Sequence, residues 1–214
     1  MDEERRELVE RLVSRGYLKS KRVIEAMSRV PRHLFMPGGI RDRAYADTPQ
    51  PIGSNQTISA PHMVAIMTEL LDVREDSHIL EVGTGSGYQA AILAELAREG
   101  DVVTVERVPE LAERSRELLR SLRYDNVEVV DADGTMGHAG KAPYDRILVT
   151  AASPGVPKAL ADQLADDGRM LIPVGGRSGQ TLLEIRKDAS GRPEEICHGG
   201  CVFVPLIGED GWDG

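Results

Sequence analysis

Between His78 and Val174, short apolar runs alternate with stretches whose apolar residues recur at helical spacing, and this alternation restricts the fold more than any other feature. HILEV, VVTVE, VEVV, YDRILVTAA and RMLIPV read as strands; Tyr88 to Arg98, Pro109 to Leu122 and a stretch around Val156 to Ala165 read as helices. A strand that returns to its own sheet through a helix forms a parallel pair, so the repeated alternation predicts a doubly wound α/β sheet. Upstream, residues 3–15 and 20–29 have the spacing of two short amphipathic helices, broken at Gly16 and stopped by Pro31, and a further helix is expected from Ala60 to Leu71. Residues 37–61, punctuated by PGG, TPQP and IGSN, exclude a long regular element, and a loop of that length in a compact domain is usually functional. Beyond Gly179 the helical period disappears; TLLEIRK and CVFVPLI are expected as antiparallel strands separated by the turn-rich DASGRPEE.

The 214 residues suffice for one substantial core, and 41% hydrophobic residues fit a globular chain. A single domain is expected. With 26 basic against 35 acidic side chains and no basic cluster, the surface repels phosphate backbones, which argues against a nucleic-acid partner. The first residues, MDEERRELVERLV, lack the continuous apolar stretch of a signal peptide, and no apolar run has membrane-spanning length, so a cytoplasmic protein without a membrane partner is expected. Cys197 and Cys201, spaced as CHGGC, are too few for a disulfide framework, and with His198 they would still lack a fourth metal ligand. They are read as buried thiols, and no metal is expected.

The chemistry concentrates in Glu81-Val82-Gly83-Thr84-Gly85-Ser86-Gly87, where the first core strand passes into its crossover helix. Glycine allows the sharp turn and brings backbone against a ligand, and the helix N-terminus adds unpaired N–H groups. Glu106 closes the next strand about twenty residues on, where a carboxylate can accept both hydroxyls of an adenosine ribose. Asp133 and Gly134 follow the third strand and supply an acceptor and a turn where an adenine amino group could sit. A dinucleotide prefers G-x-G-x-x-G, whereas this loop reads G-x-G-x-G with Tyr88 in the sixth place. Glu81 would oppose a pyrophosphate but suits a ligand carrying an ammonium and a sulfonium, which favours S-adenosylmethionine over a nicotinamide dinucleotide.

QTISAPHM (56–63), LEVGTGSGYQAAILA (80–94), KAPYDRILVTAA (141–152) and FVPLIG (203–208) resemble, in order and spacing, the protein-L-isoaspartate methyltransferases. The glycine loop is common to many methyltransferases; TISAPHM is more restricted and carries the substrate assignment. The resemblance implies a Rossmann-like, mostly parallel seven-stranded sheet with altered strand order at its C-terminal end and an N-terminal helical cap. It divides the domain into a cap and substrate loop (1–60), a cofactor-binding core (61–178) and C-terminal strands (179–214). It implies Ser59 as the active-site serine, Thr57, Ile58, Ala60 and His62 lining the cofactor and isoaspartyl pocket, and Val204, Pro205 and Leu206 beside a substrate peptide. Glu81, Gly83, Thr84, Gly85, Gly87, Glu106, Asp133 and Gly134 would hold S-adenosylmethionine and its product S-adenosylhomocysteine. Asp131-Ala132-Asp133-Gly134 departs from the family's Gly-Asp-Gly by Ala132, and Ser54-Asn55 departs from the glycine-rich spelling usual before QTIS.

The implied enzyme is a monomer that methylates the α-carboxylate of isoaspartyl residues, and also D-aspartyl residues, in damaged proteins. Ser59 then orients a carboxylate that is its own nucleophile; a hydrolase reading would need a strained G-x-S-x-G elbow, which is absent. For His62 a solvent-facing place in the first turn of a helix stands beside the pocket reading, and Thr57 also suits a cap. Met63 and Met67 read as core filling. Another carboxyl or small-molecule methyltransferase, and a catalytically silent binding module, remain as alternatives.

Overall fold

A computed structural model describes residues 1–213. The chain opens with α1 (Asp2–Ser14) and α2 (Lys21–Arg29). Leu8, Val9 and Leu12 form the buried stripe of α1, and Asp2, Glu3 and Glu4 sit in its first turn, where the helix dipole favours anions. Gly16, at φ +74°, ends it: the Gly16 and Tyr17 amides donate to the carbonyls of Val13 and Leu12. The Ser20 hydroxyl accepts from the Val23 amide at the start of α2, and Pro31 forces Val30 into an extended conformation at its end.

The loop expected over 37–61 is more ordered than its composition suggests. A 3-10 turn at Gly38–Arg43 is followed by a hairpin of β1 (Gln50–Gly53) and β2 (Gln56–Ile58). Its two-residue turn, Ser54-Asn55, has both residues in the left-handed region at φ 49° and 57°.

The core then runs α3 (Pro61–Leu71), β3 (His78–Val82), α4 (Tyr88–Leu96), β4 (Asp101–Glu106), α5 (Pro109–Ser121), β5 (Val127–Asp131), β6 (Tyr144–Val149), α6 (Lys158–Gln163), β7 (Leu164–Gly176), β8 (Gly179–Lys187) and β9 (Pro193–Cys201). The seven-stranded sheet has the order β5-β4-β3-β6-β7-β8-β9, parallel from β5 to β7 and antiparallel beyond. Its parallel strands are covered on both faces, which explains their continuous apolar spelling. Ile79, Val102 and Leu148 join one apolar cluster with residues of α1 to α5, and Leu80, Val103 and Ile147 join a second with Leu160 of α6 and Leu206. After β5 the chain crosses over β3 to lay down β6, so the strand order reverses between β3 and β6. A crevice opens outside the carboxyl ends of the strands at such a reversal.

The C-terminal strand is displaced from its expected position. β9 is Pro193–Cys201; of CVFVPLI only Cys201 belongs to it, while Pro205 and Ile207 form isolated bridges. The Asp188 carboxylate accepts from the Ser190 and Arg192 amides, closing the turn so tightly that pairing resumes at once, with Pro193 opposite Lys187. An edge strand tolerates the proline, the charges and the bulge near Gly199. The reading of both cysteines as buried fails for Cys197: it is exposed on this edge, whereas Cys201 is buried.

Candidate functional site

Immediately after Val82, Gly83 takes φ +98° and its amide donates to the Val105 carbonyl, so the loop bends over the end of β4. A Cβ at Gly83 would lie 2.5 Å from Thr150 Oγ1, a hydroxyl that donates to the Gly83 carbonyl from just beyond β6. The Gly85 amide donates to Glu106 Oε2 at 2.8 Å, and the Val108 amide donates to Oε1 at 3.0 Å. The Glu106 carboxylate is thus fixed at the end of β4 with lone pairs to spare. Gly87 serves packing: its φ is +84°, and an added Cβ would press on Leu119 of α5 at 3.2 Å.

Glu81 stands behind this loop, fully buried on β3. Its Oε2 is hydrogen-bonded to Thr104 Oγ1, which lies 2.7 Å from Thr84 Oγ1, and its Oε1 has no partner. Burial pushes its pKa up to about 8 against the downward pull of the Thr104 hydroxyl, and the nearby Glu106 adds to the rise.

The cap closes the other side. Arg32, in a 3-10 turn at Arg32–Phe35, is fully buried. Its Nε donates to the Ala44 carbonyl at 2.9 Å, its second terminal nitrogen donates to the Ser59 carbonyl at 2.8 Å, and the guanidinium lies 4.9 Å from the centre of the Tyr88 ring. One cation therefore ties the cap to the TIS segment and to the first residue of α4.

Between the two sides lies a cleft of about 900 Å³, counted out to its open mouth. Thr57, Ile58, Ser59, Gly83, Thr84, Gly85, Glu106, Gly134, Val204, Pro205 and Leu206 line it together. The last three arrive on a C-terminal strap, held where the Ala152 amide donates to the Val204 carbonyl and the Leu206 amide to the Ala152 carbonyl.

Five expected residues are absent from the wall. Ala60 caps α3, and Gly87 is a packing glycine. His62 turns toward the cap, where Asp47 Oδ1 accepts from its amide and lies 2.9 Å from its Nδ1, and its ring packs on Tyr17. Glu81 is one layer behind. Asp133 is held beside the wall: its carboxylate accepts from the Thr135 amide, the Thr135 hydroxyl and the Glu209 amide, so it anchors the strap. Burial raises the pKa of Asp133, but the bonds from Glu209 and Thr135 outweigh it and hold the group below the usual carboxylate range.

Sequence reasoning missed Met67, Tyr88, Gln89, Arg107 and Thr150 on the wall. Arg107 and Thr150 follow strands that end at the reversal, which is a usable signal. Met67 reads as core because it is core; like Tyr88 it is 2% exposed and still meets the cleft.

The cavity and its loop suit an adenosyl ligand. Gly83 and Gly134 pack their backbone against the wall with no room for a side chain, a Cβ on Gly134 lying 2.6 Å from Val82 Cγ1, and Glu106 offers an acceptor to hydroxyls. Among solved structures, a putative protein-L-isoaspartate O-methyltransferase of Plasmodium falciparum, in complex with S-adenosyl-L-homocysteine, superposes with a TM-score of 0.82 at 28% identity, covering 95% of this chain and 98% of that one. Another, named protein-L-isoaspartate O-methyltransferase, gives 0.87 at 26% identity, covering 97% of this chain and 67% of that one. Relatives of the same name from Methanopyrus kandleri and Archaeoglobus fulgidus are 58% and 54% identical, covering 97% and 99% of this chain and 93% and 96% of their own. The family model described as protein-L-isoaspartate(D-aspartate) O-methyltransferase matches residues 3–211, helical cap, glycine loop and strap included, and the chain belongs to that family.

Proposed function

We propose that this protein transfers a methyl group from S-adenosylmethionine to the α-carboxylate of L-isoaspartyl residues, and to the side-chain carboxylate of D-aspartyl residues, in damaged proteins and peptides. The observation that carries this reading is the meeting of Thr57, Ile58 and Ser59 with Gly83, Thr84, Gly85 and Glu106 in one cleft. Glu106 uses its free lone pairs on the ribose hydroxyls, the backbone at Gly83 to Gly85 takes the methionine end, and the turn at Gly134 borders the adenine. When bound, S-adenosylmethionine supplies an electrophilic methyl group on a sulfonium.

The acceptor carboxylate titrates near 4, is ionised at neutral pH and needs no general base. Positioning is therefore the chief task, and orientation in a site that excludes water converts a slow bimolecular encounter into an effectively unimolecular step. Ser59 donates to one carboxylate oxygen and leaves the other free to attack, while Val204, Pro205 and Leu206 flank the peptide. Arg32, through the Ser59 carbonyl, sets where that hydroxyl stands.

Labelled S-adenosylmethionine and paired isoaspartyl and aspartyl peptides test the reading. Label on the isoaspartyl peptide alone is expected; equal labelling of both would refute it. Binding of S-adenosylhomocysteine with no acceptor methylated would favour a silent binding module.

A further inference from the structure

The hydroxyl chain behind the glycine loop has a consequence for which ligands the cleft prefers. Glu81 is fully buried, its strand neighbours are Thr104 on β4 and Leu148 on β6, and its Oε1 has no hydrogen-bond partner. The charged group that bears on it, Glu106 of β4, is another acid, and the loop from Gly83 to Ser86 carries no charge. A buried carboxylate with one unmet oxygen and no cation is strongly disfavoured, so the group keeps its proton in the empty protein. The pKa of about 8 agrees.

Two hydrogen bonds connect it to the wall: Glu81 Oε2 to Thr104 Oγ1, and Thr104 Oγ1 to Thr84 Oγ1 at 2.7 Å. Thr84 lines the cleft. Each hydroxyl owns one proton, so the chain has two senses. With Glu81 ionised, Thr84 donates to Thr104 and Thr104 to Glu81, and Thr84 keeps only lone pairs free. With Oε2 protonated, Glu81 donates to Thr104 and Thr104 to Thr84, and the Thr84 proton is free. Positive charge in the cleft favours the first sense.

Resting on the methyltransferase reading, we infer that Glu81 is a specificity-determining residue: neutral in the empty protein, it gives up its proton when a cationic ligand enters, so the site distinguishes the sulfonium of S-adenosylmethionine from the uncharged thioether of the product. The proton leaves along the hydroxyls, each passing on its own as it accepts one, and ends on solvent buffer. Methyl transfer removes the positive charge, Glu81 recovers a proton, and the extra affinity for the sulfonium form disappears with it.

Calorimetric titrations at pH 7 in phosphate and in Tris, buffers of different ionisation enthalpy, count the protons. Wild type is expected to release roughly 0.5–1 proton per S-adenosylmethionine beyond Glu81→Gln, and clearly less with S-adenosylhomocysteine. The ligand's own amino group contributes equally to both proteins and cancels. Equal release by wild type and Glu81→Gln, or by wild type with both ligands, overturns the proposal. Infrared difference spectra of wild type read the same step without the variant: loss of a protonated-carboxyl C=O band on adding S-adenosylmethionine supports it, and an unchanged band overturns it. Binding heat without proton release removes only this inference, whereas no heat with either ligand removes the cofactor reading too.

Discussion

Gly83 and Asp133 mark the two kinds of residue that set the cleft. Gly83 is at φ +98° with no room for a Cβ beside Thr150. Gly83→Ala should lower stability by about 1–3 kcal/mol, or about 2–4 °C in melting temperature per kcal/mol, and weaken S-adenosylhomocysteine binding. Adding Thr150→Ala removes the collision but leaves the left-handed backbone, so the double variant should recover only part of the loss by thermal melting. Asp133 was legible as an acid at the right place and its bonds from Thr135 are local, but nothing local announced the bond from the Glu209 amide. Because its folded pKa is depressed below the ordinary 3.8, the stability it contributes is present above that value and lost as pH falls through the folded one. Asp133→Asn should therefore melt lower than wild type at pH 7, with the difference narrowing below about pH 4.

At the scale of elements, the substrate side depends on contacts between segments that are weak alone. The β1–β2 hairpin is short, and Arg32 secures the segment that follows it through Ser59 while holding Ala44 and facing Tyr88. Arg32→Met keeps much of the volume but strands the buried Ala44 carbonyl, at about 1–3 kcal/mol, and frees the half-buried Ser59 carbonyl. A purely structural loss would weaken cofactor and peptide alike; a positioning role predicts that KM for the isoaspartyl peptide rises at least several-fold while the Kd for S-adenosylhomocysteine changes little. Steady-state kinetics beside calorimetry separate the two. In the hairpin turn, Ser54 adopts φ 49° in solvent, where a side chain is disfavoured. Ser54→Gly should raise stability by up to about 1 kcal/mol in denaturant titrations.

The molecule as a whole carries an acid buried in its sheet, and this shapes its global unfolding. A raised folded pKa means that stability is fully present below the unfolded value near 4.5 and declines as pH rises toward about 8. In urea titrations the empty wild type should lose stability across that window relative to Glu81→Gln; parallel curves would show that Glu81 does not hold its proton on folding. The α/β architecture and the glycine loop were legible in the sequence because strand alternation, helix period, caps and turn glycines act between near neighbours, as do the stops at Gly16 and Pro31. The strand actually formed by PEEICHGGC was not, because an edge strand needs little hydrophobicity and its register was set by the Asp188 turn. By itself the sequence determined which segments become strands and helices, that Gly83, Gly85 and Glu106 meet at one strand end, and that TIS precedes them. Only the tertiary structure decided that His62 turns to Asp47, that Asp133 anchors the strap and that Glu81 lies one layer behind the wall, since Asp47, Glu209 and Thr104 stand far from them in the chain.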